Sequence, residues 1–316
     1  AVIATLPTDD NLDIHSIDIA FSTNQTPGGV TRHQAMLVWQ QLAAIYPVVC
    51  DPGPPPITTD FDHFKTHYSL WNGNAWGPAA VIPGQADPVP YNINGGTEIG
   101  VSSDQFGNVR VVWSELEDTT PCIGGDEAPS VYSAERSSTG TWSPVVMVSG
   151  GASAPGIAHT PDNIGVSLFS GPLGPTTEIY YSRKWIGSPW SPANLFGGSP
   201  SDDYEPRIAS LHKDLAVGVW WNFPSGSSTG TIYYKVVNAN ASNLITPGLP
   251  GLTGSLGSGL RPEIAAHTGS PQNPHAEWTL MAYDDGDDLV ADIQNGNTEM
   301  KSIGSTNLVN AVELFD

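Results

Sequence analysis

Two cysteines, four methionines and eleven basic side chains are few for a chain of 316 residues, and each shortage excludes something. Cys50 and Cys122 have no C-x-x-C partner, so a cysteine-built zinc site has too few ligands. Eleven Lys and Arg against 32 Asp and Glu leave a formal charge of −21, which repels phosphate backbones and excludes nucleic acid as a partner. No apolar run reaches the roughly 18 residues of a membrane-spanning helix. Charged residues amount to only 14%, so long solvent-facing helices lack their usual Glu, Lys and Arg. The opening AVIATLPTDD reads as a mature end left by leader cleavage, which sets the expectation of a secreted, extracellular or cell-surface protein.

What the chain does have is 34 Gly, 28 Pro and a long internal repeat. A motif ending in Ile and a small residue recurs as Asp18-Ile19-Ala20, Glu98-Ile99-Gly100, Gly156-Ile157-Ala158, Arg207-Ile208-Ala209 and Glu263-Ile264-Ala265. After each Ile comes an apolar run closing on an aromatic: AMLVW, VRVVW, GVSLF, AVGVW and TLMAY. An aromatic-rich strand follows in four copies (HYSLW, SVYSAE, EIYYSRKW, TIYYKV), and in three a turn then closes on Trp76, Trp142 or Trp190. Four short alternating strands between Gly, Asn, Ser and Pro turns make one antiparallel sheet per repeat.

Such a sheet cannot bury both faces alone, so the copies must stack, and radial stacking leaves only short edges. The expected fold is all-β, a single β-propeller of about five four-stranded antiparallel blades. The blades fall at about 11–86, 87–150, 151–199, 200–256 and 257–316, with terminal strands 1–8 and 305–316 closing the ring or pairing with a neighbour. The long first repeat is attributed to a Pro-rich insertion, VVCDPGPPPITTD, read as a connection without regular pairing.

The pattern of P-x-I-A, an apolar strand ending in Trp, I-Y-Y-S and a turn closing on Trp resembles the BNR or sialidase-like propeller repeats. Their Asp-box is Ser-x-Asp-x-Gly-x-x-Trp. Ser69 through Trp76 keeps the Ser, Gly and Trp with Trp71 at the Asp position, and Ser182 through Trp190 is one residue longer. The resemblance implies a secreted propeller. Sialidases add three substrate-clamping arginines, whereas here only Arg207 and Arg261 stand in the first-strand motif.

Residues two apart in a strand share a face, so the position before each Ile points with the small residue after it, toward the crowded axis. That places Asp18, Glu98, Gly156, Arg207 and Glu263 around one channel. Asp18, Glu98 and Glu263 with Arg207 are therefore candidates for cation binding or for the paired carboxylates of glycoside hydrolysis, against the plainer reading of a hydrated channel. Trp71, Trp185 and Trp221 fall outside the register of the core aromatics and, with Arg207, are candidate carbohydrate contacts. Asp284, Asp285, Asp287 and Asp288 around Gly286 are a weak candidate for Ca2+, against a solvated hairpin tip; no cofactor is required. Cys50 and Cys122 are expected to form a disulfide between consecutive blades.

Together these features favour a non-catalytic extracellular propeller that binds a glycan or cell-surface ligand. A self-assembling structural subunit, joined through its terminal strands, is one alternative. A glycoside hydrolase or polysaccharide lyase acting at the axial channel is the other.

Overall fold

The computed structural model describes residues 14–25, 31–51, 57–85, 98–117, 128–160, 163–197, 201–210, 215–224, 230–240, 253–258, 260–267, 278–284, 289–295 and 300–305. Within them the chain is all strand and turn. The first sheet runs β1 (Ile14–Gln25), β2 (Thr31–Asp51), β3 (Ile57–Trp71), β4 (Ala80–Val81), and the second β5 (Ile99–Ser103), β6 (Val109–Glu117), β7 (Ala128–Arg136), β8 (Val146–Gly150). The third holds β9 (Ser153–His159), β10 (Gly165–Leu173), β11 (Thr176–Lys184), β12 (Asn194–Gly197), and the fourth β13 (Asp202–Ser210), β14 (Leu215–Phe223), β15 (Thr231–Asn238), β16 (Thr253–Ser258). The fifth holds β17 (Leu260–His267), β18 (Trp278–Asp284), β19 (Leu289–Asn295) and β20 (Met300–Ser305). Each sheet is a four-stranded meander in sequence order, the form of a propeller blade. Ile19, Ile99, Ile157, Ile208 and Ile264 each lie on the first strand of their sheet.

The chain divides into two compact units, Ala1–Pro155 and Gly156–Asp316. In the first, Met36, Val38 and Ile82 of the first sheet's segment pack with Val101, Val111 and Trp113 of the second. In the second, Leu168, Ile179 and Phe196 of the third sheet pack with Ala216 and Trp220 of the fourth. On its other face the fourth sheet sets Val217 and Val219 against Ile264 of β17. A strand covered on both faces has no polar side to keep, which is why β2, β6, β10 and β14 carry continuous apolar runs rather than an alternation.

One expectation is corrected. The Pro-rich insertion does not leave its flanks unpaired: β2 and β3 continue as a ladder out to Val49↔Thr58 and Asp51↔Ile57. The β-branched residues on both sides of CDPGPPP suit a pleated ribbon, so the flanks of the insertion lengthen the β2–β3 pair.

The proline before the repeated Ile marks a strained bulge. Ala154 and Glu205 precede Pro155 and Pro206 with φ of 54° and 46°, and the β13–β14 register slips between Tyr204 and Arg207. A β-carbon in the left-handed region costs about 1–2 kcal/mol. Glu205→Gly should therefore be more stable than Glu205→Ala by about 1 kcal/mol in denaturant melts, the reverse of the usual strand order. A Gly variant less stable than the Ala variant would contradict the strained backbone.

Candidate functional site

In the first unit, side chains of β1 satisfy the open edge of β5. Asp18 Oδ2 accepts from the Val101 N–H at 2.8 Å, and Ser16 Oγ accepts from the Ile99 N–H at 3.2 Å. Asp18 Oδ1 accepts from the Ile19 N–H at 2.7 Å, so both of its oxygens are engaged by backbone amides. Its carboxylate thereby supplies the acceptors that an unpaired strand edge needs. Glu98 stands immediately before β5, where its carbonyl accepts from the Ser114 N–H at 3.2 Å.

In the second unit, a β-carbon on Gly156 would lie 3.1 Å from the Pro206 carbonyl oxygen, so this repeat position is glycine because β13 backbone fills its space. Arg207 Nε donates to Glu263 Oε1 at 3.1 Å across from β13 to β17, and Arg207 Nη1 donates to the Pro206 carbonyl at 3.2 Å. Glu263 is 68% exposed. The sequence places Asp18 and Glu98 at the first-strand position of one unit and Arg207 and Glu263 at that of the other. Arg207 and Glu263 are in direct side-chain contact.

Arg207 belongs to a larger face. Residues opposed across a ladder point the same way, so Tyr204↔Trp221 and Arg207↔Val219 share one side of the fourth sheet, the side that meets Ile264. The bulge at Glu205-Pro206 is what returns Arg207 to the side of Tyr204. At the rim of this face Tyr204 and Trp221 stand with ring centroids 5.4 Å apart, and Trp221 and Phe223 also 5.4 Å apart. All three rings are partly exposed, while the Trp221 indole N–H is turned inward without an acceptor among the described residues. Burial and the Asp202 charge hold the Tyr204 hydroxyl above its ordinary pKa.

The opposite face of the same sheet carries a pair that the sequence reading missed. Glu178 of β11 and Asp203 of β13 are each 1% exposed. Asp203 Oδ1 accepts from Asn222 Nδ2 at 2.8 Å, and Thr176 Oγ1 donates to Glu178 at 2.9 Å. No donor reaches Asp203 Oδ2 among the described residues. Burial, and then the facing Glu178, push the Asp203 carboxyl up to about 7 against the help of Asn222 and Trp220. The arrangement fits two carboxyls sharing one proton. No motif marks the pair, whose members lie 25 residues apart on strands of different repeats.

The outer turns of the first and third sheets are each closed by a serine hydroxyl. Ser69 Oγ donates to the Gly77 carbonyl at 2.8 Å, and Ser182 Oγ donates to the Ser191 carbonyl at 2.6 Å. In the first of these turns the side chain that accepts from the turn backbone is that of Asn72, next to Trp71. Asn72 Oδ1 accepts from the N–H groups of Asn74 and Ala75, both at 3.0 Å, while Gly73 takes φ of 99°. Trp71 packs against Trp76 at 5.7 Å. Trp185 is 37% exposed, but the Arg183 guanidinium lies 4.7 Å from its ring centroid and occupies one face.

Several expectations lie outside the described residues. These are the Cys50–Cys122 disulfide, because Cys122 is not described, and the acidic cluster beyond Asp284, namely Asp285, Asp287 and Asp288. Residues 1–8 and 306–316 lie outside them as well. Among the described residues no helix is long and apolar enough to cross a membrane.

No family model matches the sequence, and no curated protein matches it. Solved structures do. A Hadza microbial sialidase aligns over 93% of this chain at 10% identity with a TM-score of 0.52; the chain spans 60% of that protein's length. An ulvan lyase of a polysaccharide lyase family aligns over 93% of this chain and 75% of its own at 9% identity and a TM-score of 0.46. A family 117 glycoside hydrolase from the marine bacterium Zobellia galactanivorans aligns over 97% and 93% at 11% identity and 0.41. At such identities the likeness is one of fold: this is an all-β chain of four-stranded antiparallel sheets in the β-propeller class.

Proposed function

We propose that the protein is an extracellular carbohydrate-binding propeller whose second unit presents the sugar-contacting rim. The observation that carries this reading is the partly exposed row Tyr204, Trp221 and Phe223 on the same sheet face as the Arg207–Glu263 pair. Pyranose rings present apolar C–H faces edged by hydroxyls. Aromatic faces take the former, and a guanidinium, a carboxylate and a phenol hydroxyl take the latter. The fold likeness to a sialidase is in keeping with a glycan ligand.

Binding is favoured over hydrolysis by how four of the described carboxylates are used. Asp18 is engaged by backbone amides, Glu263 is paired with Arg207, and Glu178 and Asp203 are buried together. Hydrolysis needs two accessible carboxyls flanking a substrate bond. A glycan array probed with the wild-type chain, followed by titration calorimetry on the best hit, tests the proposal. Trp221→Ala should weaken that hit by roughly tenfold or more with little change for Trp221→Phe. Equal affinity of the Ala variant would remove the rim from consideration.

Self-assembly has one feature in its favour. Ile17, Ile19 and Phe21 alternate along one side of the first-unit strand β1, with Ile17 60% and Phe21 72% exposed. An apolar row on an edge strand is a site for pairing with a second copy. Sedimentation of the wild type over a concentration series, against Phe21→Ser, distinguishes a dimer built there from a monomer.

A further inference from the structure

We infer that Glu263 is a charge filter that sets the ligand class of the rim: neutral glycans are accepted, and glycans carrying a carboxylate at the Arg207 position are refused. The inference rests on the glycan-binding reading and goes beyond it. An arginine clamps a carboxylate by presenting two parallel N–H groups to its two oxygens. At Arg207, Nε already points at Glu263 Oε1, 3.1 Å away, and Nη1 at the Pro206 carbonyl, 3.2 Å away. An incoming carboxylate must displace Glu263 and then lie beside its charge.

The surroundings add to that refusal. The β13 strand leading to Arg207 carries Asp202 and Glu205, and the whole chain stands at −21. A carboxylated ligand therefore approaches one partly exposed guanidinium through a field of its own sign. A neutral pyranose meets no such cost. Its hydroxyls can donate to the exposed Glu263 carboxylate while its C–H face lies on Trp221 or Tyr204, so the same residue that rejects an acid holds a neutral sugar. Lys, whose point charge lacks the planar fork, would not fix Glu263 in this orientation.

The test compares matched probes, neutral oligosaccharides and the uronic acid oligosaccharides of the same linkage, against the wild type, Glu263→Gln and Glu263→Asp. The wild type should prefer the neutral member by about tenfold at low salt, and the preference should narrow as salt is raised. Glu263→Gln, near-isosteric and exposed, should gain roughly fivefold or more for the uronate while melting within a few degrees of wild type. Glu263→Asp should keep the neutral preference. A wild type that prefers the uronate, or a preference that Glu263→Gln leaves unchanged, overturns the filter. If Trp221→Ala still abolishes that binding, the glycan reading survives without it. If neither member of any pair binds, both fall.

Discussion

Raising the pH from about 5.5 to 8.5 should lower the melting temperature of the wild type, and Asp203→Asn should remove much of that loss. The folded Asp203 carboxyl titrates at about 7, above the ordinary value of 3.8, because it is buried and faces Glu178. A raised carboxyl pKa means the native state holds the proton more tightly than the unfolded chain does. Its stabilisation is complete below the unfolded value and is lost as pH rises through about 7. Above that the third and fourth sheets must hold two buried negative charges together. Repulsion within a chain of charge −21 acts in the same direction at every site, so the variant isolates the pair. Asn keeps the shape, carries no charge and can donate to Glu178. At pH 8.5 it should melt at least about 3 °C above wild type, with a smaller difference at pH 5.5 and little below the ordinary carboxyl value of 3.8. A variant that melts below wild type at pH 8.5 would show that the charged pair is held by something other than a proton.

The second large effect is steric. Gly218 lies in the centre of β14 on the face that meets the third sheet, and a β-carbon there would stand 2.6 Å from Leu168 Cδ1 and 2.9 Å from the Phe196 ring. Phe196 is itself fixed edge-on against Trp220 and Tyr181, at 5.7 Å and 6.3 Å, so it has no free direction in which to yield. Overpacking of this kind costs about 1–3 kcal/mol for one added carbon and more for a branched side chain. Gly218→Ala should lower stability by about 2 kcal/mol and Gly218→Val by more, both read from urea midpoints. Wild-type midpoints for both would mean that the third and fourth sheets do not pack as described.

The repeat was legible because its physical causes are local. Turn residues, alternation and buried apolar runs placed Ile19, Ile99, Ile157, Ile208 and Ile264 on the first strands and Trp39, Trp113 and Trp220 in the core. Where the cause was pairing between distant residues, the sequence was silent. Thr58 and Val49 pair on the flanks of a proline-rich segment whose sequence reads as a loop. Glu178 and Asp203 meet through packing of two sheets, which no spacing along one strand encodes.

The candidate site divides in the same way. Arg207 and Glu263 hold equivalent positions in two repeats, and adjacency of first strands follows from repetition, so their pairing could be anticipated from offset alone. Trp221 was singled out for falling out of register with Trp220. Strand alternation accounts for this: in the Trp220-Trp221 doublet one ring enters the core and the other turns to the Tyr204 side. The bulge that sets Arg207 beside that aromatic row depends on a left-handed Glu205, which propensity disfavours and only the folded backbone reveals.

The most direct measurement of the central claim is a crystal structure of the chain soaked with the tightest glycan from the array. The account predicts a pyranose ring stacked on Trp221 or Tyr204, with a hydroxyl within hydrogen-bond reach of Glu263 or Arg207. A sugar seated instead at the outer turns around Trp71 or Trp185, or beside Asp18 and Glu98 in the first unit, would contradict it.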